Sequence, residues 1–201
     1  MNAIDLKDNT LRHLRIALVY TIVSVIAFGL VYPFLMTGMA MLIFPRQANG
    51  SIVFIGGKPI ASALIGQLWT KPQYFHGRPS AAGKGYDPTS TGGTNLAPTS
   101  KKLVDTTRQT IAALRKENPD ATLPIPMDLV TSSGSGIDPD ISPEAAHYQA
   151  PRVARARGMT TASVDALIDR HVQPRTFGMF GEPRVNVLEL DLALDAQKPR
   201  T

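Results

Sequence analysis

Several short runs of this sequence carry residue types that chemistry uses, and each sets a test of spacing. Gly56-Gly57-Lys58-Pro59 has the glycines and lysine of a phosphate cradle, but neither its spacing nor the Ser/Thr that would hold magnesium. The Asp-Lys-Thr-Gly run whose carboxylate takes phosphate from ATP does not occur, so the chain cannot hydrolyse ATP by that route. Asp138-Pro139-Asp140-Ile141-Ser142-Pro143-Glu144 opens like a calcium loop. Its sixth position is Pro143 instead of glycine and its twelfth is Gln149 instead of a bidentate Glu, so helix capping accounts for it better. In Thr131-Ser132-Ser133-Gly134-Ser135-Gly136 the last three residues are contiguous, which a nucleophile elbow does not allow. Its amides could form an anion nest, though such sequences ordinarily make plain turns. His13, His76, His147 and His171 lack metal-ligand spacing, and a solvated or capping role is expected of each. The expectation is therefore no catalytic set, no metal and no bound cofactor.

The elements that must hold these residues begin with an apolar run. No charge falls between Ile16 and Pro45, while Arg15 and Arg46 close the ends. Thirty helical residues reach about 45 Å, and a bilayer core needs only about 20 residues. A cleaved signal peptide would share the basic start and the small-residue site Gly38-Met39-Ala40. A signal core stops after about 15 residues, whereas this run continues through Met41-Leu42-Ile43-Phe44-Pro45, so a retained anchor is expected. Lys7, Arg12 and Arg15 precede the span and only Arg46 and Lys58 follow closely, a bias that puts the N-terminus in the cytoplasm. The rest would then lie in a periplasm, which the absence of cysteine permits. The formal charge of +5 is spread without a basic block, so no nucleic-acid partner is expected.

The expected organisation is a tail over 1–15, a transmembrane helix over 16–38 and a soluble domain over 46–201. Gly56-Gly57 between apolar runs signals a hairpin. Residues 71–100, rich in Gly, Pro, Ser and Thr, read as a long irregular excursion. A helix capped by Thr99 or Ser100 follows, with Leu103, Val104, Thr107, Ile111 and Leu114 at helical spacing and Asn118-Pro119 as its stop. Ser142-Pro143-Glu144 starts a short helix that meets Pro151, with a second piece running to Gly158. Thr160 or Thr161 caps a helix through Val172, with Val164, Leu167 and Ile168 inward. Val185, Val187, Leu190, Leu192 and Leu194 read as a final strand, bulged at Leu188. The fold class expected is an α+β soluble domain with one N-terminal transmembrane helix.

Three ordered stretches then stand out. The first is Tyr74-Phe75-His76-Gly77-Arg78-Pro79-Ser80 with Gly92-Gly93-Thr94-Asn95-Leu96 and Pro98. The second runs from Pro126 through Ser133-Gly134-Ser135-Gly136-Ile137-Asp138-Pro139 to Ile141-Ser142-Pro143 and Pro151-Arg152 to Arg157-Gly158. The third is Gly181-Glu182-Pro183-Arg184-Val185-Asn186-Val187-Leu188. In this combination the chain resembles the C subunits of Kdp potassium-transporting ATPases over nearly its whole length, anchor included. It departs at Thr94, commonly Ser in that family, and at Asp140, often His there.

The resemblance implies a bacterial inner-membrane setting beside three partners: a channel-like potassium-binding subunit, a P-type ATPase subunit and a small single-helix subunit. It implies a non-catalytic accessory role in assembly and stabilisation, and that of a catalytic chaperone raising the ATPase subunit's affinity for ATP; ATP enters by resemblance alone. Gly77, Arg78, Pro79, Gly92, Gly93, Asn95, Leu96, Ser133 to Gly136, Asp138, Pro139, Arg152, Arg157, Glu182, Pro183, Arg184 and Asn186 are then interface candidates. The alternative for the polar ones is internal hydrogen bonding that pins irregular loops. Ala17, Thr21, Ser24 and Ala27 form a small-residue stripe suited to close helix packing, or ordinary lipid-facing positions. The rival functions are an anchored periplasmic enzyme or solute-binding domain and, with the opposite topology, a cytoplasmic nucleotide-binding regulator.

Overall fold

The computed structural model describes residues 3–197, with side chains from residue 9 onward. Residues 1–2 and 198–201, the outer ends of the expected tail and soluble domain, and the Lys7 side chain lie outside the described residues. The chain divides into two compact units that part between Ile52 and Val53.

The first unit is a helical rod. Helix α1 (Ala3–Ser24) passes into a π-helical turn (Val25–Val31) and then α2 (Tyr32–Ile43). Pro33 explains the widened turn. It has no N–H, and in a regular helix its ring meets the carbonyl four residues back. The slack is taken up one residue earlier, where the Tyr32 N–H reaches the Ala27 carbonyl five residues back. The apolar stretch Asn9–Ile43 is 35 residues long, enough to cross a bilayer, and its most apolar part has no buried side chain. Phe44, with φ −130° and ψ 58°, ends the rod as the residue before Pro45. A single turn, α3 (Pro45–Ala48), follows.

The second unit is the α+β domain. Strands β1 (Ile52–Ile55) and β2 (Lys58–Ser62) form the expected hairpin. Gly56 and Gly57 both have positive φ, +57° and +77°, as its two-residue turn requires. Residues 63–100 contain no regular helix or strand. Helix α4 (Lys101–Glu117) starts after Ser100 and stops at Asn118, as the sequence predicts. Strand β3 (Asp140–Ile141), helices α5 (Pro143–Arg157) and α6 (Thr161–His171), strands β4 (Val172–Gln173) and β5 (Arg184–Asn186), and helix α7 (Val187–Ala196) complete the domain. β5 is central in an antiparallel sheet of order β3-β5-β4, pairing Val185 with both Ile141 and Val172. The core gathers around it: Phe75, Leu129, Tyr148, Val153, Val164, Ile168, Leu190 and Leu194 are all buried.

Two sequence expectations need correction. Helix α5 is continuous through Pro151. Buried residues stand on both sides of the proline (Ala145, Ala146 and Gln149 before it, Arg152, Val153 and Ala154 after it), so one set of core contacts holds both halves together. Its end is as expected: Gly158 (φ +65°) closes it, with its N–H on Arg155 and that of Met159 on Ala154. The final apolar run is a helix after Asn186, not a strand to Leu194. Its buried residues are Val187, Leu188, Leu190, Asp191 and Leu194, of which Val187, Leu190, Asp191 and Leu194 recur at helical spacings of three, one and three. The strand reading counted Leu192, which is only half-buried, and overlooked the start signal, in which the Asn186 side chain accepts the Glu189 N–H at 3.1 Å.

Asn186 also donates to the Ala63 carbonyl at 2.8 Å. Asn186→Ala removes a helix cap and leaves that carbonyl without its donor, a loss of about 2 kcal/mol. Urea unfolding of the micelle-bound chain, followed by circular dichroism, checks it.

Candidate functional site

The residues singled out by their motifs converge because irregular backbone has to find hydrogen-bond partners. Helix α5 supplies most of them. Arg152, buried, donates from Nη1 to the carbonyls of Pro72 (2.6 Å) and Tyr74 (3.0 Å), from Nε to Asn118 (3.0 Å) and from Nη2 to Gln149 (2.7 Å). Gln149 grips the His76 backbone, accepting its N–H at 2.8 Å and donating to its carbonyl at 3.0 Å. Arg157 donates to the Gln73 carbonyl and to Asp195, and lies 5.0 Å above the Tyr74 ring. From α7, Asp191 accepts the Phe75 N–H at 2.9 Å. Residues 72–76 are thus laid across two helices like an extra strand, with side chains standing in for a ladder.

A second knot joins the Gly-rich pieces. Arg78 pairs with Asp138 at 3.0 Å, and its carbonyl accepts the Tyr86 hydroxyl at 2.6 Å. Ser80 donates to the Gly136 carbonyl and accepts the Tyr86 N–H. The Gly92 N–H reaches the Ser135 carbonyl at 2.8 Å. Close approach dictates the glycines: a Cβ on Gly77 would stand 2.4 Å from the Tyr86 hydroxyl, and one on Gly136 2.7 Å from the Gly92 carbonyl. A Cβ on Gly93 would stand 3.2 Å from the Gly134 carbonyl, tighter than ordinary contact. In the 131–136 run the Thr131 N–H reaches the Met127 carbonyl and the Gly136 N–H reaches Ser133 Oγ, while Ser135 Oγ accepts from the Ile137 N–H just beyond it. Pro139 offers its carbonyl to Val187, while Arg184 pairs with Asp140 at 3.1 Å. Asn95 adopts φ +50°, and Leu96 is half-buried. Glu182 and Pro183 are exposed and take no part in this knot; Glu182 pairs with Arg175.

Electrostatics follow burial. Asp191 is fully buried, and desolvation pushes its carboxyl up to about 8 against the opposing pull of the Phe75 amide and Arg157. Burial likewise raises the Tyr86 hydroxyl to about 12, with Asp138 adding to the effect. Burial, helped by Arg152, lowers the proton affinity of His76, whose ring meets the Lys71 carbonyl and Glu117. A cavity of about 540 Å³ opens beside this web, lined among others by Trp69, His76, Arg78, Lys84, Tyr86 and Glu117. His147 is more than a solvated residue: its ring nitrogens meet Asp165 at 2.8 Å and Asp169 at 3.2 Å. Among the described residues no group of three or more acidic or imidazole side chains could hold a metal.

The hydrogen-bonding roles of Gln149, Asp191 and Tyr86 escaped the sequence reading, and Asn118, expected only as a helix stop, also receives Arg152. The first two had a usable signal, a polar residue set among apolar ones on a helix's inward face. Tyr86 had none beyond its neighbours.

The family described as "KdpC: K+-transporting ATPase, c chain" matches residues 14–196. The chain belongs to the KdpC family. A potassium-transporting ATPase KdpC subunit of Acidobacterium capsulatum is 54% identical over 185 residues, covering 92% of this chain and 98% of the relative. That of Caulobacter vibrioides is 53% identical over 190 residues, 94% of this chain and 95% of its own. That of Rhodopseudomonas palustris is 48% identical over 202 residues, 94% and 100% respectively. As a KdpC protein the chain is a potassium-transport subunit, and its single apolar N-terminal helix fits a single-pass membrane protein.

Two outcomes follow for the web. Protonated Asp191 is the form the fold favours. Its contribution is fully present below the ordinary carboxylate range and is lost as pH climbs through about 8. The melting temperature should therefore fall between pH 5 and 9, and Asp191→Asn should flatten that slope; a calorimetric pH series checks it. Gly136→Ala should cost about 1–3 kcal/mol or more, from positive φ and overpacking together, read from urea midpoints.

Proposed function

We propose that this chain is a non-catalytic accessory subunit that helps assemble and stabilise the potassium-transporting complex. The observation that carries the reading is the union, in one chain, of a bilayer-length apolar helix and an α+β domain whose motif side chains hold its own loops. Side chains committed to carbonyls and to one another serve shape. A rigid, shaped domain on a tether suits docking.

In this reading residues 16–38 lie within the span, the tail over 1–15 faces the cytoplasm and the domain over 46–201 is periplasmic. The partners are the channel-like potassium-binding subunit, the P-type ATPase subunit and the small single-helix subunit. The helix packs laterally through Ala17, Thr21, Ser24 and Ala27, where small side chains let backbones approach. Ser24 and Ala27 flank the start of the π-helical turn, so the stripe ends where the helix changes pitch. The domain rests on the external mouth of the channel-like subunit through its Gly/Pro loops, with the long 71–100 segment as the main contact. A periplasmic domain cannot touch cytoplasmic ATP. Any rise in the pump's ATP affinity is then indirect, through pump states that the domain binds unequally.

A C-terminal alkaline phosphatase fusion should be active; a well-expressed but silent fusion would reverse the topology and favour a cytoplasmic regulator. Ser24→Leu with Ala27→Leu should lower recovery of the other subunits on a tagged chain at least about threefold. Undiminished recovery removes the packing stripe.

A further inference from the structure

The β4–β5 hairpin projects beyond the core sheet as a finger. Its root is the sheet itself, where Gln173 pairs with Arg184 and Val172 with Val185. Its tip is closed by a Thr176–Phe180 bridge with both backbone bonds made, at 2.9 and 3.0 Å, and by the Gly178 and Met179 N–H groups on Arg175 and Thr176. The turn is therefore firmly shaped. Yet its side chains face water: Phe177 is 89% exposed, Met179 73% and Phe180 63%. Phe177 does this at φ +54°, a left-handed conformation that is unfavourable for a bulky residue and that the glycine beside it would adopt freely. A loop that only had to turn would carry a small or polar residue at that position. Strain retained in order to display an aromatic ring marks a surface made for contact.

We infer that the Phe177–Met179–Phe180 finger is the anchor by which the domain enters an apolar, uncharged recess on another subunit of the transport complex. This rests on the assembly reading above and adds a second contact beside the Gly/Pro loops. The finger's own charges favour protein over lipid. Its two cations are both paired, Arg175 with Glu182 and Arg184 with Asp140, so nothing is left to seek anionic headgroups. Its size argues against a second copy of the chain. Two aromatic side chains of about 150–250 Å² each, with Met179 beside them, fall short of the roughly 800 Å² per partner that a free-standing dimer needs. That area is ample for a hot spot once a shared membrane has already brought the two chains together.

The test uses the detergent-solubilised complex. With Phe177→p-benzoylphenylalanine, irradiation should join the chain to another subunit of the complex, identified by mass spectrometry. An adduct only with lipid or with a second copy, or none while the complex stays intact, overturns the inference. Phe177→Gly separates binding from folding. It relieves the positive φ, so the unfolding midpoint should hold or rise, while recovery of complex falls at least about tenfold. Full recovery overturns the finger alone. If the unsubstituted chain recovers no other subunit, the assembly reading falls and takes the finger with it.

Discussion

Backbone that forms neither helix nor sheet must give its polar groups to something, and between Pro72 and His76 that something is a buried trio of side chains. Gln149, Arg152 and Asp191 hold the carbonyls of Pro72, Tyr74 and His76 and the amides of Phe75 and His76. Phe75 is thereby seated at the centre of the core, fully buried between elements that would otherwise leave a void. Removing Arg152 would strand several carbonyls at once, and each buried unpaired group costs on the order of 1–3 kcal/mol. Charge burial is the counterpart. Asp191 keeps its proton towards neutral pH because its site is too dry for the ion.

This arrangement explains a domain with so little regular structure in its first half. The Gly-rich knot of residues 77–96 and 133–139 adds a second layer in which close backbone approach does what apolar packing does elsewhere. Its shape is therefore fixed by glycine, serine and arginine more than by leucine. A surface so specified presents the same contours each time, as an assembly subunit requires. The apolar rod obeys a different economy: every backbone group must be satisfied within the helix, and even the disturbance at Pro33 is absorbed by an extra residue in the turn.

Much of this was legible in the residues. The uncharged run to Pro45, the Gly56-Gly57 turn, the caps at Ser142 and Thr160 and the Gly158 stop all act locally, so local sequence reports them. The α+β class and the kinship carried by three ordered stretches were legible for the same reason. What failed divides into long-range packing and one local ambiguity. Pro151 looks like a break until the core on both sides of it is known. Val187 to Leu194 fits alternation and helical spacing about equally, and Asn186 with Glu189 settles it. The expectation that Arg78, Arg152 and Arg157 pin loops was available as an alternative, but the acceptors that matter most, Asp138 for Arg78 and the carbonyls of residues 72–74 for the other two, lie 60 to 84 residues away in sequence, beyond any spacing rule.

Hydrogen–deuterium exchange on the intact, micelle-bound chain tests the central claim most directly. The Phe75 and His76 amides should exchange as slowly as those of the core strand Arg184–Asn186, and Gln149→Ala should release His76 first. Exchange at the rate of an open loop, in a domain that is otherwise folded, would contradict the account.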